Sequence, residues 1–114
     1  MKRFFTLEYW KDDGWYVGRL KEVFNIDAIV PTAQERATAD RIIYDELCRG
    51  KIKTSSRRTC LRIIHRLITR GAEGIILACT ELPLLIGPDD VNVAVFDTTY
   101  LHAEAAVNLA LGQG

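Results

Sequence analysis

Residues 74–79, Gly-Ile-Ile-Leu-Ala-Cys, form an uninterrupted apolar run that glycine opens and cysteine closes. A run this short and this apolar suits a strand buried on both faces, as in a parallel sheet between helix layers. Parallel strands require crossover connections, and helices usually make them. The flanking sequence supplies such helices. Thr32 opens Thr-Ala-Gln-Glu, the spacing of a capping box, in which the Thr32 hydroxyl and the Glu35 carboxylate satisfy each other's free amides. Behind it Ala39, Ile42, Ile43 and Leu47 recur at helical spacing, with Gly50 as the expected stop. A second helix is expected to begin between Thr54 and Ser56 and to carry Cys60, Leu61, Ile64, Leu67 and Ile68 as its apolar stripe. It should end at Gly71, where a left-handed cap suits glycine.

The remaining elements are read from the same signals. Residues 26–30 read as a short β-branched strand stopped by Pro31, and residues 15–24 as a helix with no convincing strand before it. Thr80 is placed to cap a short helix with Pro83 in its first turn, where proline costs little. Residues 87–92 read as a turn and 93–96 as a strand. Asp97, Thr98 or Thr99 can cap a last helix that runs to about Leu111. Strands alternating with helices predict an α/β fold: one layered domain over residues 1–114, with a short, mostly parallel sheet flanked by helices. The last helix carries Leu101, Ala103, Ala105, Ala106, Val107, Leu109, Ala110 and Leu111 around most of its circumference. Such a helix is either an alanine-rich terminal helix or one that packs against protein outside this chain.

Composition narrows the partners. Lysine plus arginine and aspartate plus glutamate both number 15, so net charge is zero and no electrostatic footprint for nucleic acid or an anionic membrane is present. Nothing approaches the apolar length of a membrane span, and the first residues turn polar before a signal-peptide core can form, so a cytoplasmic location is expected. Cys48, Cys60 and Cys79 make neither a disulfide framework nor a metal-site spacing; thiols are expected, with no metal.

Cys79 is the candidate for chemistry. It ends a buried strand and the next residues open a helix, and in open α/β sheets ligands bind at the carboxyl ends of strands. A helix N-terminus attracts an anion such as a carboxylate, and can lower a cysteine pKa from about 8.5 to ~3.5–7.5. A thiolate there could remove a weakly acidic proton beside a bound carboxylate. On these residues alone, a packed structural cysteine is the better reading, because buried cysteines are common and usually inert.

Four blocks in order carry a resemblance: Phe-Phe-Thr-Leu-Glu with Trp-Tyr-Val-Gly-Arg-Leu, then Ile-Ile-Tyr-Asp-Glu-Leu-Cys-Arg-Gly, then Ala-Cys-Thr-Glu-Leu-Pro-Leu-Leu, then Phe-Asp-Thr-Thr-Tyr-Leu-His-Ala-Glu-Ala-Ala-Val. Together they resemble the C-terminal half of the aspartate/glutamate racemase family over nearly the whole chain. The resemblance implies two pseudo-symmetric α/β halves with the site between them, and no pyridoxal phosphate or metal. It implies one cysteine per half, one thiolate abstracting the α-proton and the other thiol protonating the opposite face. On this reading Cys79 is the catalytic cysteine of the second half, and Thr80 binds the substrate α-carboxylate. Glu81 stands where glutamate racemases usually carry histidine, which looks more like the aspartate or broad-specificity branch. Thr6 matches a threonine near the substrate.

The family's first half, with its own Cys-Asn-Thr or Cys-Thr-Asn motif, has no counterpart in these residues. Cys48 and Cys60 fall within expected helices, as core or half-buried positions, and do not replace it. One thiol alone does not invert a centre efficiently, because acid and base must both reach the reacting carbon. The expectation is therefore a cofactor-independent amino-acid racemase that is inactive as an isolated chain and pairs with a first half or a second copy. Two alternatives stand: a decarboxylase of the same superfamily that uses one cysteine as proton donor, and a non-catalytic remnant or dimerisation domain. Among other residues, Asp97 reads as a helix cap, His65 as a boundary residue and His102 as a packing or site-edge residue. Lys51, Lys53 and Arg57 are candidate cations for a substrate side-chain carboxylate, or else solvated surface. Trp10, Trp15 and Tyr16 read as packing residues.

Overall fold

The computed structural model describes Asn25 and residues 27–113. The chain divides at Pro31 into two compact units, and all regular elements of the described residues lie in the second. Thr6, the helix expected over 15–24 and the three aromatic residues named above lie outside the described residues. In order, the second unit contains helix α1 (Ala33–Asp45), helix α2 (Thr54–Thr69), strand β1 (Gly74–Leu77), strand β2 (Ala94–Asp97) and helix α3 (Thr98–Ala110). It is an α/β arrangement with a parallel strand pair, as the alternation of patterns predicts.

α1 starts as expected. The Thr32 amide donates to Glu35 Oε2 at 2.9 Å and the Glu35 amide to Thr32 Oγ1 at 3.2 Å, closing the capping box. The second oxygen of the same carboxylate, Oε1, accepts from Arg66 Nη1 at 2.8 Å and so ties the start of α1 to the end of α2. α1 stops short of Gly50. Glu46 leaves helical geometry at φ −121°, ψ −68°, and a 3-10 turn (Leu47–Arg49) intervenes before Gly50 reverses the chain at φ +72°. The early stop has a visible cause: Glu46 is buried, and its carboxylate accepts hydrogen bonds from Ser56, Arg41 and Lys53.

α2 begins at Thr54 and buries Ser56, Cys60, Ile63, Ile64 and Leu67; of the expected stripe Cys60, Ile64 and Leu67 are buried, while Leu61 and Ile68 are half-buried at its edges. Its end is a Schellman motif. The Gly71 amide donates to the Ile68 carbonyl and the Ala72 amide to the Leu67 carbonyl, with Gly71 at φ +105°. The apolar core comprises Ile42, Leu47, Cys60, Ile63, Ile64, Leu67, Ile75, Leu77, Leu85 and Ile86. Each fully buried isoleucine or leucine among these stabilises the fold by roughly 1.5–3 kcal/mol relative to exposure.

Several expectations need correcting. Residues 27–30 carry no strand: β-branched composition suits a strand, but a strand exists only against a partner, and no ladder forms there. β1 is buried on one face, not two. Ile75 and Leu77 are buried, whereas Ile76 is 53% exposed and its register partner Phe96 45% exposed. Cys48 is exposed and sits in the 3-10 turn, not in an α-helix, while Cys60 is buried in α2 as expected. The second strand is displaced by one residue from the expected 93–96. Gly74 has a steric reason: a side chain there would meet the Phe96 ring at 3.0 Å.

Candidate active site around Cys79

The parallel register aligns Leu77 with Asp97, so the two strands end flush, and the segments after them leave the sheet at the same edge. Cys79 leaves β1 there, and Thr98 begins α3 beside it. Thr98 Oγ1 donates to the Leu77 carbonyl at 3.1 Å, a cross-link between the strand that delivers Cys79 and the helix that follows β2. No sequence signal short of the strand register reveals this contact. Asp97 Oδ1 accepts from the Tyr100 amide at 3.1 Å, which makes Asp97 the α3 cap, as its type and position suggest.

Cys79 is half-buried, and its Sγ accepts the Leu82 amide at 3.3 Å. The short helix expected after it is only a turn. Leu82–Leu84 is a single 3-10 turn with Pro83 inside it, and Glu81, not Thr80, occupies its N-cap position without a side-chain cap bond. A turn of three residues builds no appreciable dipole, so the expected lowering of the thiol pKa has little to draw on. Burial instead pushes the Cys79 thiol above its ordinary range. The Leu82 and Glu81 amides pull against that shift, and negative charge at Glu81 and Cys48 adds to it. Cys60 is likewise raised, by burial first and then by Glu46 and Cys79.

Thr80 is exposed and Glu81 half-buried in the loop that follows Cys79, so the three are neighbours along the chain. Of the three candidate cations, Lys53 is engaged by Glu46 at 3.5 Å and Arg57 by Asp90, leaving Lys51 exposed. His65 and His102 are both exposed on their helices. Among the described residues, no group of three or more His, Cys, Asp and Glu converges as a metal set would. No helix of the described residues is long and apolar enough to cross a membrane.

Comparison with known proteins gives this geometry a context. Residues 5–106 match the family model described as Asp/Glu/Hydantoin racemase. An Asp/Glu racemase family protein from Yersinia pestis is 46% identical and superposes with a TM-score of 0.80, the match covering 88% of this chain and 44% of that one. An aspartate racemase homologue from Pyrococcus horikoshii OT3 is 37% identical with a TM-score of 0.74, covering 84% of this chain and 42% of that one. The chain spans less than half the length of either solved structure.

Proposed function

The chain belongs to the Asp/Glu/hydantoin racemase family, and from that footing we propose that it forms the second half of a cofactor-independent amino-acid racemase whose proton-transferring group is Cys79. The family is of the racemase, isomerase type, and its description covers aspartate, glutamate and hydantoins. The observation that carries the reading is the position of Sγ: half-buried, at the carboxyl edge of β1, and held by the Leu82 amide. At that edge the exposed Thr80 can receive the α-carboxylate of a substrate such as aspartate or glutamate, with Glu81 next to it in the chain.

Sγ at this edge can protonate a carbanion formed on its face, and burial, which raises the thiol, favours that acid role. The α-proton leaves from the other face to a base in the complementary half, and in the reverse direction Cys79 accepts the proton instead. The half-chain length of the match and the exposed apolar surface of α3 both fit pairing with such a half or with a second copy. Three free thiols suit the reducing cytoplasm.

Racemisation of L-aspartate and L-glutamate, followed by chiral chromatography, tests this. The chain alone should show little turnover, and addition of the complementary half of the Yersinia pestis relative should restore it. Restored turnover that survives Cys79→Ser would sink the assignment.

A second reading is a decarboxylase of the same superfamily, for which one cysteine at a strand edge suffices, since it only protonates the carbanion left after carbon dioxide departs. Carbon dioxide release from an arylmalonate by the chain alone would favour it over racemisation.

A further inference from the structure

We propose that Arg57, acting through Asp90, is a positioning residue for Cys79, a role that rests on the reading of Cys79 as the proton-transferring group. Residues 78–87 carry the thiol between two anchors. The near anchor is Thr98 Oγ1 on the Leu77 carbonyl. The far anchor is Asp90, which faces two ways. Its Oδ2 accepts the Gly87 amide at 2.7 Å and its own amide returns to the Gly87 carbonyl at 3.2 Å, while Oδ1 accepts from the Arg57 guanidinium.

Arg57 lies in the first turn of α2, the helix rooted by Ser56 on the buried Glu46 and by Cys60 and Ile63 in the core. The pair therefore ties a loop to the most firmly held helix of the unit. Between the anchors no strand ladder fixes the chain, which is seated in the core by the buried Leu85 and Ile86. The hydrogen bonds there are local turns, from Leu84 to Glu81 and from Leu85 and Ile86 to Leu82. The amide on Sγ, that of Leu82, belongs to the same stretch. Asp90 thus holds Gly87, the neighbour of Ile86; the Ile86 amide donates to the Leu82 carbonyl, and the Leu82 amide to the sulfur.

Arg57 is 41% exposed at its side chain, so the ion pair contributes little to global stability. Positioning and folding can thus be separated by experiment, and the three cysteines supply the means. The exposed Cys48 is a reference and the buried Cys60 reports loosening of the core. The full chain is treated briefly with iodoacetamide, and alkylation at each cysteine is read by peptide mass spectrometry. The variants are Arg57→Gln, Asp90→Asn and Arg57→Lys.

Loss of the clamp in the first two should raise Cys79 alkylation about three- to fivefold relative to Cys48, the scale that one exposed ion pair supports, with Cys60 unchanged. Arg57→Lys, which keeps the charge, should return most of the protection. A Cys79-to-Cys48 ratio equal to the unsubstituted chain overturns the proposal. So does a rise of Cys79 and Cys60 together, which is plain destabilisation. The readout needs no turnover, so a failed racemisation assay leaves it intact, and a failed clamp leaves the racemase reading intact.

Discussion

The α1–α2 pair and the β1–β2–α3 segment manage their apolar and polar groups in opposite ways. In the first, helix ends are closed by a capping box and a Schellman motif, and buried carboxylates are met by Ser56, Arg41, Lys53 and Arg66. In the second, Ile76 and Phe96 stand exposed on one sheet face, and α3 buries none of its residues although most are apolar. The contrast separates two requirements on one chain. The helical pair closes its own ends and carboxylates, while one sheet face and the last helix leave large apolar side chains exposed.

The sharpest way to break the comparison acts on the second region through one atom. Cys79→Ala should lower proton transfer by the completed enzyme by roughly 10²–10⁴-fold, the range for loss of a general acid or base, with little change in thermal unfolding. A melt that collapses with it would make Cys79 a packing residue. In the first region, Ile42 is fully buried, and Ile42→Ala should cost about 2–5 kcal/mol in denaturant unfolding. Ile76→Ala at the exposed strand position should stay within about 0.5 kcal/mol; equal losses at both sites would erase the distinction.

Acid should strike the helical pair first. The Glu35 carboxyl is held below its ordinary range by Arg66 and then by the Thr32 amide, and Glu46 by the Ser56 hydroxyl and Lys53. A lowered folded-state pKa means stability that is fully present above the ordinary glutamate value, near about 4.3, and lost as pH falls through the depressed one. Melts between neutral and acid pH should show that loss, and Glu46→Gln should flatten it. Thr32→Ala should remove about 1 kcal/mol through the lost cap, read in the same unfolding assay. The smallest effect is expected at Leu101→Glu on α3, within about 0.5 kcal/mol for the chain alone. A much larger loss there would show that α3 is covered after all.

What was legible in the sequence was local. Thr32 with Glu35, Gly71 after α2 and Asp97 before α3 act within a few residues of themselves, so spacing alone reveals them. Cys79 was legible by position, between an apolar run and a proline-containing turn. The direction of its pKa was not, because it depends on burial and on how short the turn beyond it is. Nothing in the sequence singles out Glu46 with Ser56, and only their meeting ten positions apart makes them a buried hub. The 26–30 segment misleads for the same reason in reverse, since its composition suits a strand and a strand needs a partner that composition does not supply. Thr98 on Leu77 and Arg57 on Asp90 depend wholly on the tertiary arrangement.

Glu35 uses one oxygen on the Thr32 amide and the other on Arg66. Three positions spread over two helices therefore share a single carboxylate, and their fates are joined. Relatives that replace Arg66 should tend to alter position 35 as well, and a glutamine at 35 would keep one duty while abandoning the other. Drift at these sites ought to occur as a set, which makes them a sensitive register for aligning distant members of the family.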